Sequence, residues 1–276
     1  MKRILPVLHR LGIPDAGAAS FSSCLPLLDC RAVERLPLHP ASVIVCIFPY
    51  LTLEDGPRNL SRYAVVPDYH RVAGEMLQTA CEQLSAALGG TFVSFVDNSP
   101  IREVNAALRA GLGVLGRHSL LIHPAYGSWV FLGSIVTDLV VEWPEHPITS
   151  CLDCGRCISA CPSGCIGKTG PDPARCVSAI TQKRGELTPE EKELVQKGGL
   201  LWGCDICQQV CPMNQKAALT PLDRFVREKS FLTAGDLTRA VRFHAYGFRG
   251  PGPLRRNFRL LYGEGKTESL GLDQMK

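Results

Sequence analysis

Cys151-Leu152-Asp153-Cys154-Gly155-Arg156-Cys157-Ile158-Ser159-Ala160-Cys161-Pro162 sets three cysteines at two-residue gaps, then a fourth followed by proline. A shorter echo follows as Cys204-Asp205-Ile206-Cys207-Gln208-Gln209-Val210-Cys211-Pro212. C-x2-C-x2-C-x3-C-P is the bacterial [4Fe–4S] ferredoxin spacing. Three closely spaced thiolates hold three irons of one cubane, and the fourth cysteine ligates the other cluster. Crossed ligation assigns one cluster to Cys151, Cys154, Cys157 and Cys211. It leaves the second with Cys161, Cys204 and Cys207, one ligand short. Cys176, the nearest cysteine upstream of the second run, is expected to supply that ligand.

Two plainer readings compete. Zinc normally takes two C-x2-C pairs, which the tight triple run does not suit. A disulfide framework belongs to exported proteins. The start, Met1-Lys2-Arg3-Ile4-Leu5-Pro6, carries two positive charges but no sustained apolar stretch, so it does not read as a signal peptide. No run reaches the roughly 18 apolar residues of a membrane span. The chain is therefore expected to be cytoplasmic, with no membrane partner, and its thiols to serve iron and sulfur.

A chain of 276 residues, 45% hydrophobic and 20% charged, suits one large core or two modest ones. The net charge of +4 is mild. Its distribution is less so, since residues 217–263 carry nine Arg or Lys against three Asp or Glu. Such a stretch suits phosphates, or is simply a solvated basic face.

Residues 1–40 are weakly patterned, with Cys24 and Cys30 read as structural. Ser42 to Phe48 is β-branched and apolar, a buried strand. Val72, Met76, Ala80, Leu84 and Leu88 give 67–88 a helical period that stops at Gly89-Gly90. A strand over 91–96 ends at Asp97, a helix spans 100–110, and strand-like runs follow at 119–123 and 128–137. The pattern indicates an α/β or α+β domain over 1–145. A double-cluster, ferredoxin-like module follows over 146–216, then a basic helical segment over 217–276. The tail from Gly263 is expected to fray.

Gly111-Leu112-Gly113-Val114-Leu115-Gly116 spells G-x-G-x-x-G, with Asp138 about twenty residues on. A dinucleotide fingerprint follows a strand and opens a helix. Here a helix precedes and a strand follows, so the glycines are read as a tight turn or a close backbone approach. Asp68-x-His70-x-x-x-Gly74 is one residue too long for a corrinoid histidine loop, and His70 is not assigned to cobalt.

Taken together, several stretches resemble the epoxyqueuosine reductase family. They are Ser61-Arg62-Tyr63, Asp68-Tyr69-His70, Val96-Asp97-Asn98-Ser99-Pro100 and Ala110-Gly111-Leu112-Gly113. Gly116-Arg117-His118-Ser119, Gly127-Ser128-Trp129, Phe131-Leu132-Gly133, Gly203-Cys204-Asp205 and Cys207-Gln208 complete the set, in matching order over about 42–215. The resemblance also places a ligand at Cys176.

What the resemblance implies is a cobalamin-binding α/β domain joined to two [4Fe–4S] clusters. An external low-potential donor feeds electrons singly, and the substrate is an epoxide on the anticodon loop of tRNA. An alkoxide leaves carbon poorly unless protonated, so a positioned acid is needed. By position that acid is Asp97, whose pKa burial beside an apolar corrin is expected to raise. The competing reading makes Asp97 a helix cap. Ser61, Arg62, Tyr63, Arg117, His118, Ser119, Ser178 and Asp205 fall where the family approaches corrin or substrate, and Cys165 reads as apolar filler.

Departures from the pattern are Arg117 for a more usual lysine, the charge order in Pro100-Ile101-Arg102-Glu103, and an end at 276, where relatives continue into a helical-repeat region that helps hold tRNA. Two alternatives share the same residues: a corrinoid and iron–sulfur reductase of another small molecule, as in dehalogenases, and a non-catalytic ferredoxin-like carrier.

Overall fold

The computed structural model describes residues 1–263 apart from residues 55, 168–169 and 239–243. The tail expected to fray therefore lies, past Gly263, outside the described residues. The chain forms two compact units. Unit 1 gathers Met1–Leu51, Tyr69–Asp153 and Met213–Phe225, and unit 2 gathers Thr52–Asp68, Cys154–Pro212 and Val226–Lys276. The division is interleaved, where the sequence suggested consecutive blocks. Residues 52–68 join unit 2 because Leu60 bridges Trp202 and the Asn59 side chain donates to Leu232 O at 2.9 Å. Residues 213–225 join unit 1, where Asn214 Oδ1 accepts from Ser128 N and its Nδ2 donates to Ser128 Oγ, both at 2.8 Å.

Unit 1 starts with α1 (Leu5–Arg10) and β1 (Asp15–Ser20), neither foreseen. β1 is Asp-Ala-Gly-Ala-Ala-Ser, too small in side chain to read as a strand, and its partner supplies the apolar bulk. Then come β2 (Ser42–Pro49), α2 (Tyr69–Leu88), β3 (Phe92–Phe95) and α3 (Glu103–Arg109). Short β4 (Val114–Leu115) and β5 (Leu121–Ile122) pair before β6 (Val130–Thr137). The main sheet runs β1-β2-β6-β3, and every pairing in it is antiparallel, which makes the unit α+β.

All eight residues of β2 are buried. An antiparallel strand usually wets one face, but here α2 packs on the sheet through β3 and β6, while α3 packs against β1 and β2. Val43, Val45 and Ile47 share a core with Ala106, Ala107 and Leu108 of α3. Val72, Ala73, Met76, Leu77, Ala80, Cys81 and Leu84 form the buried stripe of α2. Each such side chain contributes about 1.5–3 kcal/mol when fully removed from water. Gly133 lets α2 approach, since a Cβ there would stand 2.6 Å from Leu77 Cδ1. The helix ends at Gly89, φ +71°, as the sequence indicated.

Unit 2 holds α4 (Arg156–Ala160), the hairpin of β7 (Ile166–Gly167) and β8 (Gly170–Pro171), and α5 (Val177–Gln182). After these come α6 (Pro189–Gly198), α7 (Ile206–Gln209) and α8 (Gly252–Tyr262). α6 is framed by a Thr188/Glu191 capping box and by Gly199 at φ +68°. Trp202, Leu60, Leu201, Tyr246, Leu254 and Phe258 make its main core. Asn257, fully buried on α8, donates to Thr181 O and Leu201 O at 2.8 Å each. Among the described residues no helix is long and apolar enough to cross a membrane.

Candidate active site and cluster centre

In unit 2 the cysteines separated in sequence meet. Cys157, Cys161, Cys165, Cys176 and Cys207 pack in one cluster with Ile158, Ile166 and Val210. Cys207 lies within electrostatic reach of Cys204, Cys176, Cys157 and Cys161, and Cys204 within reach of Cys176 and Cys161. Cys161, Cys176, Cys204 and Cys207, the set expected to share a cubane, are among the cysteines so gathered, with Cys157 also within reach of Cys207. Burial pushes the Cys204 thiol up to about 11 and raises Cys207 further. Thiolates in such a place need the positive charge of bound metal. Among the described residues no three His, Cys, Asp or Glu groups converge on a single-ion site.

The remaining predicted ligands are Cys151, Cys154 and Cys211. Cys211 is buried, Cys154 is exposed, and Cys151 closes unit 1 with its N–H donating to Leu115 O at 2.9 Å. Cys165 is buried in that apolar group, in keeping with its reading as filler. Its sulfur is 3.5 Å from that of Cys161, because the turn at Cys161–Gly164 folds back before β7.

Unit 2 also assembles Ser61, Arg62, Tyr63, Ser178 and Asp205. Gln182 Nε2 donates to Tyr63 Oη at 3.3 Å and to Ser178 Oγ at 3.4 Å. Gly203 sits at φ +79°, and a Cβ on it would stand 2.1 Å from Ser61 Oγ. Asp205 is 2% exposed, its Oδ2 bonded by the Arg58 guanidinium and by the Arg62 amide at 2.9 Å. Its carboxylate is thus committed to holding the Ser61–Arg62 turn. Ser61 Oγ is buried and finds no partner among the described residues.

In unit 1, Gly111 and Gly113 make room for the chain itself. A Cβ on Gly113 would stand 2.3 Å from Ile122 O, and one on Gly111 2.4 Å from His146. The motif follows α3 and enters the β4–β5 hairpin, as its sequence order required. Arg117 pairs with Asp153 at 3.2 Å, and Ser119 takes φ +64° to close the turn on Gly116. His118 is buried, its Nδ1 accepting from Leu120 N at 3.2 Å. Desolvation pulls its pKa down to about 4, and Nε2 is left without a partner among the described residues.

Asp97 follows β3 at φ +60°. Its Oδ2 lies 3.2 Å from His70 Nε2, on the first turn of α2, and Tyr69 beside it stacks on Phe131 at 4.1 Å. The expected rise in the Asp97 pKa is reversed. The bond to His70 holds the carboxyl below the usual carboxylate range, and the side chain is 67% exposed, so desolvation opposes this only in part. Nor does Asp97 cap α3, whose N-cap position is Arg102. It lines a cavity of about 210 Å³ with Tyr69, Glu103, Ser128 and Phe131. His70 and Glu103 are the residues sequence reasoning undervalued. The Asp68-Tyr69-His70 stretch was visible, but its partner 27 residues on was not.

An α+β unit in one chain with two ferredoxin-type cysteine runs defines an iron–sulfur protein of the double-cluster class. The model of the 4Fe-4S double cluster binding domain matches residues 150–214, and that of epoxyqueuosine reductase QueG, DUF1730, matches residues 32–98. The epoxyqueuosine reductase of Lactococcus garvieae is 31% identical over 264 residues, 88% of this chain and 74% of that protein. The chain belongs to the epoxyqueuosine reductase family. The Vibrio cholerae enzyme is 37% identical over 177 residues, 63% of this chain and 48% of the enzyme, so the chain spans about half the length of that relative. A solved epoxyqueuosine reductase bound to an epoxyqueuosine-modified tRNA-Tyr stem loop shares the fold, with a TM-score of 0.82 at 23% identity. That match covers 94% of this chain and 80% of the other.

Proposed function

We propose that the protein is a cytoplasmic reductase that converts epoxyqueuosine to queuosine in tRNA, using two [4Fe–4S] clusters and cobalamin. Family membership supports the reaction class. The observation that carries the reading is Asp97, bonded to His70 and lining a cavity with Tyr69 and Phe131, in a chain that also bears the double-cluster domain. Cys151, Cys154, Cys157 and Cys211 would hold one cluster, and Cys161, Cys176, Cys204 and Cys207 the other. The unpartnered Ser61 Oγ of unit 2 and, separately, the unpartnered His118 Nε2 of unit 1 are each suited to a polar group of a cofactor. Ser61, Arg62, Tyr63, Ser178, Arg117, His118 and Ser119 would hold the corrin, with Asp205 fixing the Ser61–Arg62 turn. When bound, the corrin supplies a strongly reducing metal nucleophile toward an epoxide carbon.

The chain's own part is proton management. An epoxide oxygen leaves carbon readily only as it gains a proton, and Asp97 stands where a group entering the cavity would meet it. His70 orients that carboxyl and keeps it from solvent-led wandering. The basic residues of 217–263 suit the phosphates of an anticodon stem loop.

The test is the queuosine content of tRNA in cells lacking the protein, with and without its return. Accumulated epoxyqueuosine that disappears on complementation supports the reading. Unaltered queuosine in the deletion strain overturns it.

A further inference from the structure

We propose that Glu103 is the proton store of this site, recharging Asp97 during turnover; this deepens, and rests on, the reductase reading above. Glu103 opens α3 and shares the cavity with Asp97, Tyr69 and Ser128. Its Oε1 is shut off from solvent and has no partner among the described residues. A carboxylate oxygen so placed is unfavourable when charged. The groups around it are Asp97 from the loop after β3, with His70 of α2 behind that, Tyr69 of α2 and Ser134 of β6. Desolvation first, and the negative charge of Asp97 second, push the Glu103 pKa up to about 8 against the smaller opposing pull of the Ser134 hydroxyl. Asp97, a neighbour in the same cavity, is held down by His70. Two carboxyl groups whose environments drive them apart divide the roles of proton holder and proton carrier.

The reaction needs both roles. Converting an epoxide to an alkene breaks two C–O bonds, consumes two electrons and two protons, and releases one water. The electrons come from an external low-potential donor. Asp97 is a single carboxyl and rests without its proton, so the oxygen cannot draw two protons from it unless it is refilled. Glu103 holds a proton at neutral pH within electrostatic reach of Asp97, and the residue as a whole is only partly buried, which leaves solvent a way to restore that proton. The competing role is a helix-terminal charge, since an acidic residue in a first turn favours the ionised form. Burial of Oε1 opposes that form.

The test uses the reconstituted holoenzyme with Glu103→Gln and Glu103→Asp. One readout needs no turnover. A carboxyl whose folded pKa exceeds its unfolded one costs the folded state stability as pH rises between the two values. The wild type should therefore lose stability relative to Glu103→Gln from about pH 4.5 to about pH 8 in denaturant titrations, and level off above. The second readout is kcat against pH with an epoxyqueuosine-modified stem loop. Wild-type kcat should fall above about pH 8. In Glu103→Gln it should be lower by roughly 10²-fold with that limb gone and KM kept, and Glu103→Asp should restore the limb. Wild-type kcat and limb retained in Glu103→Gln overturn the proton store and leave the reductase standing. A wild type that binds both cofactors yet leaves epoxyqueuosine unchanged overturns the reductase reading and this proposal with it.

Discussion

His70 Nε2 stands 3.2 Å from Asp97 Oδ2, joining the first turn of α2 to the loop that leaves β3. The pair ties α2 to the edge strand β3 on which that helix packs, so the carboxylate is aimed by the core rather than by its own exposed loop. Asp97 also accepts the left-handed backbone that few non-glycine residues adopt, which aspartate tolerates better than most. A strained, half-exposed acid tied to an imidazole is a positioned group, not a solvated one.

Replacing His70 with Ala should release Asp97. Its pKa should rise towards the ordinary carboxylate value, because the bond that favours the charged form is gone. A carboxyl with a depressed folded pKa contributes stability above its unfolded pKa and loses it as pH falls through the folded one. At 67% exposure that contribution is small. Carbon-13 NMR titration of the Asp97 carboxyl in the cofactor-free protein reads the shift directly, and an unmoved midpoint would show that His70 does not hold it.

Asp97→Asn keeps shape and hydrogen bonding to His70 but removes the carboxyl that takes up and passes on a proton. Both clusters and the corrin should still bind, while turnover drops by at least about 10²-fold. Iron analysis and visible spectra check the first half, single-turnover product formation the second. Loss of cofactors would instead make Asp97 a structural residue.

The spacing of the cysteines, the stripe of α2 and the apolar run of β2 announced their elements because each is a local pattern set by one physical period. β1 and α1 were illegible for the opposite reason. A strand of Asp, Gly, Ser and Ala is held by β2 beside it, not by its own propensity. The candidate site divides the same way. Asp97 was singled out only through the family resemblance, and its ionisation was misjudged because the deciding group, His70, is remote in sequence. Asp205 looked like a ligand-facing residue, since nothing near Cys204 reveals that Arg58 lies across the unit. Glu103 passed for one more charge beside Arg102 until burial of its oxygen separated the two.

Asp205→Ala should destabilise the cysteine unit by about 3 kcal/mol, since it strips a buried carboxylate from Arg58 and from the Arg62 amide. Glu54 also pairs with Arg58, at 3.1 Å, which keeps the cost at the lower end for a broken buried pair. Chemical denaturation of the holo-protein measures it. Wild-type stability in the variant would mean that the Ser61–Arg62 turn is held by other contacts, such as the Leu60–Trp202 bridge.

Cys176 and Cys165 make opposite predictions although both lie in the same packed group. Cys176 lies within electrostatic reach of Cys204 and Cys207 and completes a quartet with Cys161. Cys176→Ser should therefore lower the iron content of anaerobically purified protein from about eight to about four. The reduced protein should then show the electron paramagnetic resonance signal of one cluster, without coupling to a second. Cys165 approaches Cys161 at 3.5 Å but stands four residues along the same turn, leaving no separate direction from which to meet another iron. Cys165→Ser should keep about eight irons and alter only the line shape of the cluster bound by Cys161. If the outcomes are exchanged, with Cys165→Ser losing iron and Cys176→Ser keeping it, Cys165 is the eighth ligand and the crossed assignment must be redrawn around it.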